Sequence, residues 1–162
     1  MPDGIAMTCV LRRATTGDAA TLARLVVAAF AEYRGRLLPE SGALSETATS
    51  IAAQLADGHG AFLVERDGDP VACVLFQPDA GDLYFGRLAV VPAHRGAGLA
   101  PLLVAAVEDE ARVRGYPAVR LGVRVALPAN QRLFAGLGYV EISREAHPGF
   151  VEPTSITMRK VL

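Results

Sequence analysis

The chain of 162 residues is long enough for one compact domain with a hydrophobic core, and 51% of its residues are hydrophobic. Its formal net charge of −1 argues against a general nucleic-acid binder, because such a protein needs a basic face to displace counterions. Its apolar runs are shorter than the roughly 18 residues of a membrane span, and its first residues lack the basic cluster of a secretory signal. We therefore expect a cytoplasmic protein without nucleic-acid or membrane partners. A flexible N-terminus at residues 1–8 and a single domain over residues 9–162 are predicted.

The N-terminal half alternates strand and helix patterns. A short strand over 9–13 precedes a helix whose apolar residues recur every three to four positions, and this helix ends near residues 33–35. A weaker helix follows over residues 45–56. Asp67-Gly68 then separates two strand-like runs, which is a strong hairpin signal. The hairpin strands, 61–65 and 71–76, and the strand after them are predicted to form an antiparallel meander.

The central stretch of the chain reads as a strand, a glycine-bearing turn and a helix. The continuous apolar run at residues 88–91 favours a strand buried on both faces. Pro101 is tolerated only in the first helical turn, so the helix is expected to begin near Ala97 or Gly98. Free amides at this helix start, together with Arg95, predict an anion site. A dinucleotide fingerprint is disfavoured, because Pro101 occupies the position of its third glycine.

The C-terminal half contains a strand over 118–123, which must lie parallel to the central strand because a helix that ends near 114–116 joins them. A short helix over 128–137, a strand that opens at 139–142 and a last strand at 155–161 complete the chain. The two cysteines, Cys9 and Cys73, lie in apolar strand-like settings without metal-ligand spacing. We predict that both are buried core thiols, and we expect no metal site.

Two motifs in series carry a resemblance to a known family. They are Leu88-Ala89-Val90-x-Pro92 and Arg95-x-x-Gly98-x-Ala100, which resemble the acetyl-coenzyme A signature of the GCN5-related N-acetyltransferases (GNAT). The first strand and helix are similar to those of the family, and Asn130-x-x-Leu133-Phe134-x-x-x-Gly138-Tyr139 resembles its closing motif. The implied fold is α/β (α+β), of the GNAT acyl-CoA N-acyltransferase type. It has a central mixed, mostly antiparallel sheet of six to seven strands, flanking helices and two splayed parallel strands.

The resemblance implies acetyl-CoA as the cofactor. The amides from Arg95 to Ala100 would hold its pyrophosphate, and the strand backbone at 88–90 would pair with the pantetheine arm in a gap that Gly122 marks. The implied cofactor-binding residues are Leu88, Ala89, Val90, Arg95, Gly96, Ala97, Gly98, Leu99, Ala100, Asn130 and Phe134.

The resemblance also locates the acceptor side of the site. In the family, the region between the first helix and the second strand forms one wall of the amine site. The candidate substrate-binding residues are Phe30, Tyr33, Arg34 and Tyr84. Arg34 would favour an acceptor with a carboxylate or phosphate, although it also fits a solvated arginine at a helix end.

The catalytic groups are the part that departs from the family pattern. The family's usual proton donor, a tyrosine, corresponds here to Phe134, and no carboxylate lies on the central strand just before Leu88, although Asp82 stands at the strand's start. An amide near Val90 can polarise the thioester carbonyl without any side chain. The catalytic candidates are Tyr84, His147 and Asn130, of which His147 titrates in the useful pH range.

These observations predict an N-acetyltransferase that moves an acetyl group from acetyl-CoA directly to a primary amine of a small molecule or peptide. The alternative is a non-catalytic acyl-CoA-binding or sensing domain of the same fold, since Phe134 and the missing strand carboxylate fit that reading. The resemblance also allows a homodimer.

Overall fold

The computed structural model describes residues 8–162, and within them the backbone forms a sheet flanked by helices. The strands are β1 Cys9–Arg13, β2 Gly60–Arg66, β3 Asp69–Asp79, β4 Asp82–Val90, β5 Ala118–Arg124, β6 Val140–Glu145 and β7 Ser155–Val161. The helices are α1 Ala19–Phe30, α2 Ala48–Ala56, α3 Leu99–Arg114 and α4 Pro128–Gly136. Of the N-terminus predicted to be flexible, only Thr8 is described, and its N–H donates to Asp67 Oδ1 at 2.9 Å.

The seven strands form one sheet in the order β1-β2-β3-β4-β5-β7-β6. The pair β4–β5 is parallel, as the α3 crossover requires, and every other neighbouring pair is antiparallel. The predicted mixed, mostly antiparallel sheet is therefore confirmed, and so is the β2–β3–β4 meander.

Local sequence explains the turn between β2 and β3 and the start of α3. Asp67 and Gly68 have φ values of 51° and 85°, the two positive values that a tight hairpin between β2 and β3 needs. Gly98 precedes α3 with a φ of 78°, so the predicted helix start is confirmed.

Two apolar layers cover the two faces of the sheet. One face packs against α3 through β4 and β5 residues that include Phe85, Leu121 and Val123. The opposite face packs against α1 and α2, and it includes Cys73 and Ala89. Alternation along β5 consequently directs Gly122 and Arg124 toward the α1–α2 side.

A β-bulge separates β4 from its parallel neighbour. The register passes from Leu75–Gly86 to Cys73–Ala89, so Arg87 and Leu88 together lie opposite one β3 residue. Arg87 has a φ of 51° at this point. Pairing between β4 and β5 ends at Phe85–Leu121, although both strands continue. The bulge therefore opens the gap between the parallel strands that the resemblance implies.

Three expectations were wrong in detail. Cys9 is exposed, because β1 is an edge strand with little cover on either face, whereas Cys73 is buried as predicted. Leu88 and Val90 are only half-buried, because they border the gap. The second helix begins at Ala48 with Thr47 as its cap, after a short 3-10 turn over 42–45.

Candidate active site

An open cavity of about 910 Å³ follows the gap between β4 and β5. This volume lies near the upper end of the range of roughly 300–1,000 Å³ that ligand pockets span. The start of α3 borders one part of the cavity, and the end of α1, the loop around Ser41 and the loop around His147 border another. Most of the residues expected from the sequence line it: Phe30, Tyr33, Tyr84, Leu88, Val90, Arg95, Gly96, Gly98, Leu99, Ala100, Asn130, Phe134 and His147.

The loop before α3 presents a row of backbone donors that have no backbone partner in the described part of the chain. The N–H groups from Gly96 to Ala100 donate to no backbone carbonyl within residues 8–162, and the first amide that does so inside the helix is that of Leu102. Gly96 and Gly98 have φ values of 81° and 78°, and an added Cβ at either would meet no atom within 4 Å. Open space in front of free amides at a helix start suits an anionic group.

Arg95 contributes to this loop differently from what its position in the motif predicts. Its own N–H donates to the Pro92 carbonyl at 3.3 Å. Its guanidinium forms an ion pair with Glu32 at 2.7 Å and donates to the Ala29 carbonyl at 3.0 Å. Arg95 therefore ties the loop to the end of α1, and its charge is shared with a carboxylate.

The backbone of β4 faces the gap at Val90. The Val91 N–H donates to the Val71 carbonyl at 3.0 Å, so the alternating antiparallel pattern turns the Val90 N–H and C=O away from β3. Arg95 Nε reaches that carbonyl at 3.2 Å. Ala89, by contrast, is buried beneath α1, so of the motif residues 88–90 only Leu88 and Val90 line the cavity.

Tyr84 lies across the gap because two neighbouring residues are glycines. A Cβ added to Gly122 would stand 3.0 Å from Tyr84 Oη, and one added to Gly86 would stand 3.3 Å from Tyr84 Cε1. Burial raises the pKa of Tyr84, which the charge of Arg87 only partly offsets. The phenol therefore keeps its proton at neutral pH and is a hydrogen-bond donor rather than a base.

His147 borders the cavity from the loop between β6 and β7, and Thr154 holds it there. Thr154 Oγ1 accepts the His147 N–H at 2.9 Å and contacts His147 Nδ1 closely. The hydroxyl donates to the Glu145 carbonyl at 3.4 Å, so its oxygen accepts from Nδ1–H and leaves Nε2 as the basic ring atom. Burial, and then the charge of Arg124, lower the pKa of His147, which favours the neutral ring.

Phe134 and Asn130 lie on α4 beside the gap. Phe134 is buried and packs edge-on against Phe85, with ring centroids 5.9 Å apart, so the family's proton-donor position is occupied by an apolar ring. Asn130 lines the cavity.

The acceptor end differs most from the sequence expectation. Phe30 and Tyr33 line the cavity and pack edge-on at 5.9 Å. Arg34 and Ala97 do not line it, and Arg34 is exposed, because the chain turns outward after α1. Sequence reasoning missed the cavity-lining residues Ser41, Arg87, Arg124 and Ser155. Of these four residues, only Arg124 could have been suspected from the sequence, because it lies at the end of a predicted strand next to the expected gap.

Asp82 is excluded as a base of this site. It is 2% exposed and does not line the cavity. Arg120 Nε and Arg159 Nε donate to its Oδ2 at 2.5 and 2.7 Å, and chiefly the Arg159 hydrogen bond lowers the pKa of this carboxyl. Within residues 8–162 no cluster of His, Cys, Asp and Glu could hold a metal ion, and no helix there is long and apolar enough to cross a membrane.

The sequence matches the model of the acetyltransferase (GNAT) family over residues 21–139. The chain belongs to this family. No curated protein matches the sequence of this GNAT protein.

Solved structures show the same fold at low sequence identity. PaiA N-acetyltransferase from Thermoplasma acidophilum, in complex with coenzyme A, superposes with a TM-score of 0.79 at 15% identity, covering 96% of this GNAT chain and all of that one (100%). The ribosomal-protein-S18-alanine N-acetyltransferase from Escherichia coli gives a TM-score of 0.75 at 21% identity, covering 95% and 94%. YncA from Salmonella typhimurium, with its cofactor acetyl-CoA, gives 0.71 at 18%, again covering 95% and 94%. The GNAT fold predicted from the sequence is thereby confirmed.

Proposed function

We propose that this protein transfers an acetyl group from acetyl-CoA directly to a primary amine of a small molecule or peptide. The observation that carries the proposal is the cavity itself. Among the described residues, it brings together five free amides at the start of α3, an open gap between the parallel strands, and two side chains that can donate or accept a proton, Tyr84 and His147. The GNAT family match and the coenzyme-bound structural neighbours support the choice of acetyl-CoA.

The residues present fit the coenzyme. The amides from Gly96 to Ala100 would bind its pyrophosphate, since Gly96 and Gly98 leave open space in front of them. Leu88 and Val90 would lie along the pantetheine arm, with Asn130 and Phe134 on its other side.

Acetyl-CoA supplies the acetyl group as an activated thioester. The residues of this chain would bind the two substrates, polarise the thioester carbonyl and transfer the protons. The Val90 N–H faces the gap and would donate to the thioester oxygen. His147 Nε2 would accept the proton that the amine loses as its nitrogen bonds to the acetyl carbon. Tyr84 would donate a proton to the sulfur when the carbon–sulfur bond breaks, which would fill the role left vacant at Phe134.

Direct transfer is favoured over a covalent cysteine route. Cys73 is buried on the α1 face, and burial raises the pKa of its thiol to about 12. Cys9 lies on the edge strand β1, and neither cysteine lines the cavity. A thiol that stays protonated or lies outside the cavity does not act as the nucleophile there.

The alternative is a non-catalytic acyl-CoA-binding domain, which the apolar ring of Phe134 favours. A cytoplasmic location, a single N-acetyltransferase domain over residues 9–162 and a homodimer belong to the proposal as well.

Calorimetric titration with acetyl-CoA tests the cofactor, and two substitutions at one position sharpen it. Gly98→Asp places a negative charge against the pyrophosphate, whereas Gly98→Asn adds a side chain of similar size that tolerates the positive φ. We expect binding to fall at least about tenfold more in the aspartate variant than in the asparagine variant.

Release of free thiol in the presence of an amine panel then tests catalysis. Turnover that His147→Ala reduces would support the transferase. Tight binding without turnover of any amine would favour the non-catalytic domain, and no binding to the wild type would refute the cofactor assignment.

A further inference from the structure

At the acceptor end of the cavity, one positive charge has no counter-ion among residues 8–162. Three arginines line the cavity: Arg87, Arg95 and Arg124. Arg87 pairs with Glu46 at 3.3 Å, and Arg95 pairs with Glu32 at 2.7 Å. Within the part of the chain that the structure describes, no carboxylate lies within ion-pair distance of Arg124. Arg124 is therefore the cavity arginine whose charge remains available.

The surroundings of Arg124 leave most of its donors unused. Its Nη2 donates to the Glu40 backbone carbonyl at 3.3 Å, which is its one recorded side-chain hydrogen bond among residues 8–162. Glu40 also lines the cavity, but its carboxylate accepts the Gly35 N–H at 2.5 Å and forms no ion pair with Arg124 among the described residues. Arg124 is half-buried, and this burial lowers its pKa. A partly desolvated guanidinium whose N–H groups are mostly unused can form two parallel hydrogen bonds to a carboxylate or a phosphate.

The position of Arg124 assigns that anion to the acceptor rather than to the coenzyme. Leu121 and Val123 on β5 pack with α3, the helix whose start presents the free amides. Side chains alternate along a strand, so Arg124 lies on the same face of β5 as Gly122 and on the opposite face from Leu121 and Val123. This is the α1–α2 side of the sheet, where Tyr84 lies over Gly122. The bond to the loop carbonyl of Glu40 agrees with this placement.

We propose that the acceptor is a small amine that carries a carboxylate or phosphate group, and that Arg124 binds this group and so selects the substrate. The proposal rests on the acetyltransferase function proposed above. Arg124 and His147 line the same cavity, and Arg124 pairs with Ser155 of β7, next to the Thr154 that holds His147. An anion held at Arg124 therefore brings the amine of the same molecule to His147, the base in the proposed reaction.

The test compares amines that differ only in the anionic group. Glycine, β-alanine, 4-aminobutanoate and 5-aminopentanoate form the carboxylate series, the aminoalkylphosphonates of matching length stand for phosphate, and the corresponding alkylamines are neutral. Acetyl transfer to each is measured as thiol release, and binding of each is measured by calorimetry with and without coenzyme A. The variants are Arg124→Gln, Arg124→Lys and, as a charge-matched control, Arg132→Gln on the exposed side of α4.

We expect kcat/KM for the best anionic amine to exceed that of its neutral counterpart by about 10- to 100-fold. Arg124→Gln should bring this ratio close to one, Arg124→Lys should retain part of it, and Arg132→Gln should leave it unchanged. Whichever series gives the higher kcat/KM, the amino carboxylates or the aminoalkylphosphonates, shows whether the acceptor carries a carboxylate or a phosphate.

Equal binding and turnover of anionic and neutral amines, or no binding of either, would overturn the assignment of Arg124. A preference that Arg132→Gln abolishes equally would overturn it as well. Because binding is also measured without the coenzyme, this result is independent of acetyl-CoA. Failure of acetyl-CoA to bind would refute the proposed function instead.

Discussion

Replacement of Asp82 by asparagine should destabilise the protein without affecting the site. Asp82 is 2% exposed and accepts from Arg120 Nε at 2.5 Å and from Arg159 Nε at 2.7 Å. The substitution leaves two guanidinium groups without their counter-charge. Breaking a buried pair costs about 3–5 kcal/mol, and the two arginines are 25% and 30% exposed, so we expect the lower end, about 3 kcal/mol. For a chain of this size, that is a fall in Tm of about 6–12 °C.

The difference between wild type and Asp82→Asn should depend on pH. The arginines hold the pKa of the Asp82 carboxyl below its unfolded value, which is about 4. The stabilisation is therefore fully present above pH 4, and it is lost as the pH falls through the lower folded pKa. Urea unfolding at pH 7 and at acidic pH values below 4 measures this difference directly.

Asp109→Asn is the matched control, because Asp109 is 77% exposed in its pair with Arg112. It should change the free energy of unfolding by no more than about 0.5 kcal/mol. An Asp82→Asn variant that is as stable as this control at pH 7 would refute the ion-pair argument. If Asp82→Asn also lowered the rate of acetyl transfer per folded molecule, the conclusion that Asp82 takes no part in the active site would be wrong.

Two further predictions concern titration and reactivity. The pKa of His147 in the free enzyme is lowered by burial and then by the charge of Arg124, so the ionisation of this base in the pH profile of kcat/KM should have its midpoint below pH 6.5. Arg124→Gln should move this midpoint upward. A midpoint unmoved by Arg124→Gln in a pH-rate profile would contradict this. A thiol reagent should modify the exposed Cys9 of the native protein, whereas Cys73, which is buried and has a pKa of about 12, should react only on unfolding. Rapid modification of two thiols in the native state, counted by mass spectrometry, would show that the sheet face over Cys73 opens.

Much of the fold could be predicted from the sequence because its signals are local. The Asp67-Gly68 hairpin and the helix start at Gly98 follow from backbone conformations that few residues adopt. The parallel arrangement of β4 and β5 follows from the α3 crossover between them. Motif resemblance then supplied the family, which the match over residues 21–139 confirms.

Only the tertiary structure decided how the site is charged and which side chains enter it. Arg34 and Arg124 look alike as arginines at the ends of elements, but the chain turns Arg34 outward and directs Arg124 into the cavity. Arg95 belongs to the motif, yet its guanidinium pairs with Glu32. Ion pairs, burial and the bulge at Arg87 join residues far apart in the chain, and no local pattern records them. The sequence by itself therefore determined the strand, the loop and the helix that form the proposed anion site, whereas long-range packing determined which arginine lines the cavity without an ion-pair partner among the described residues.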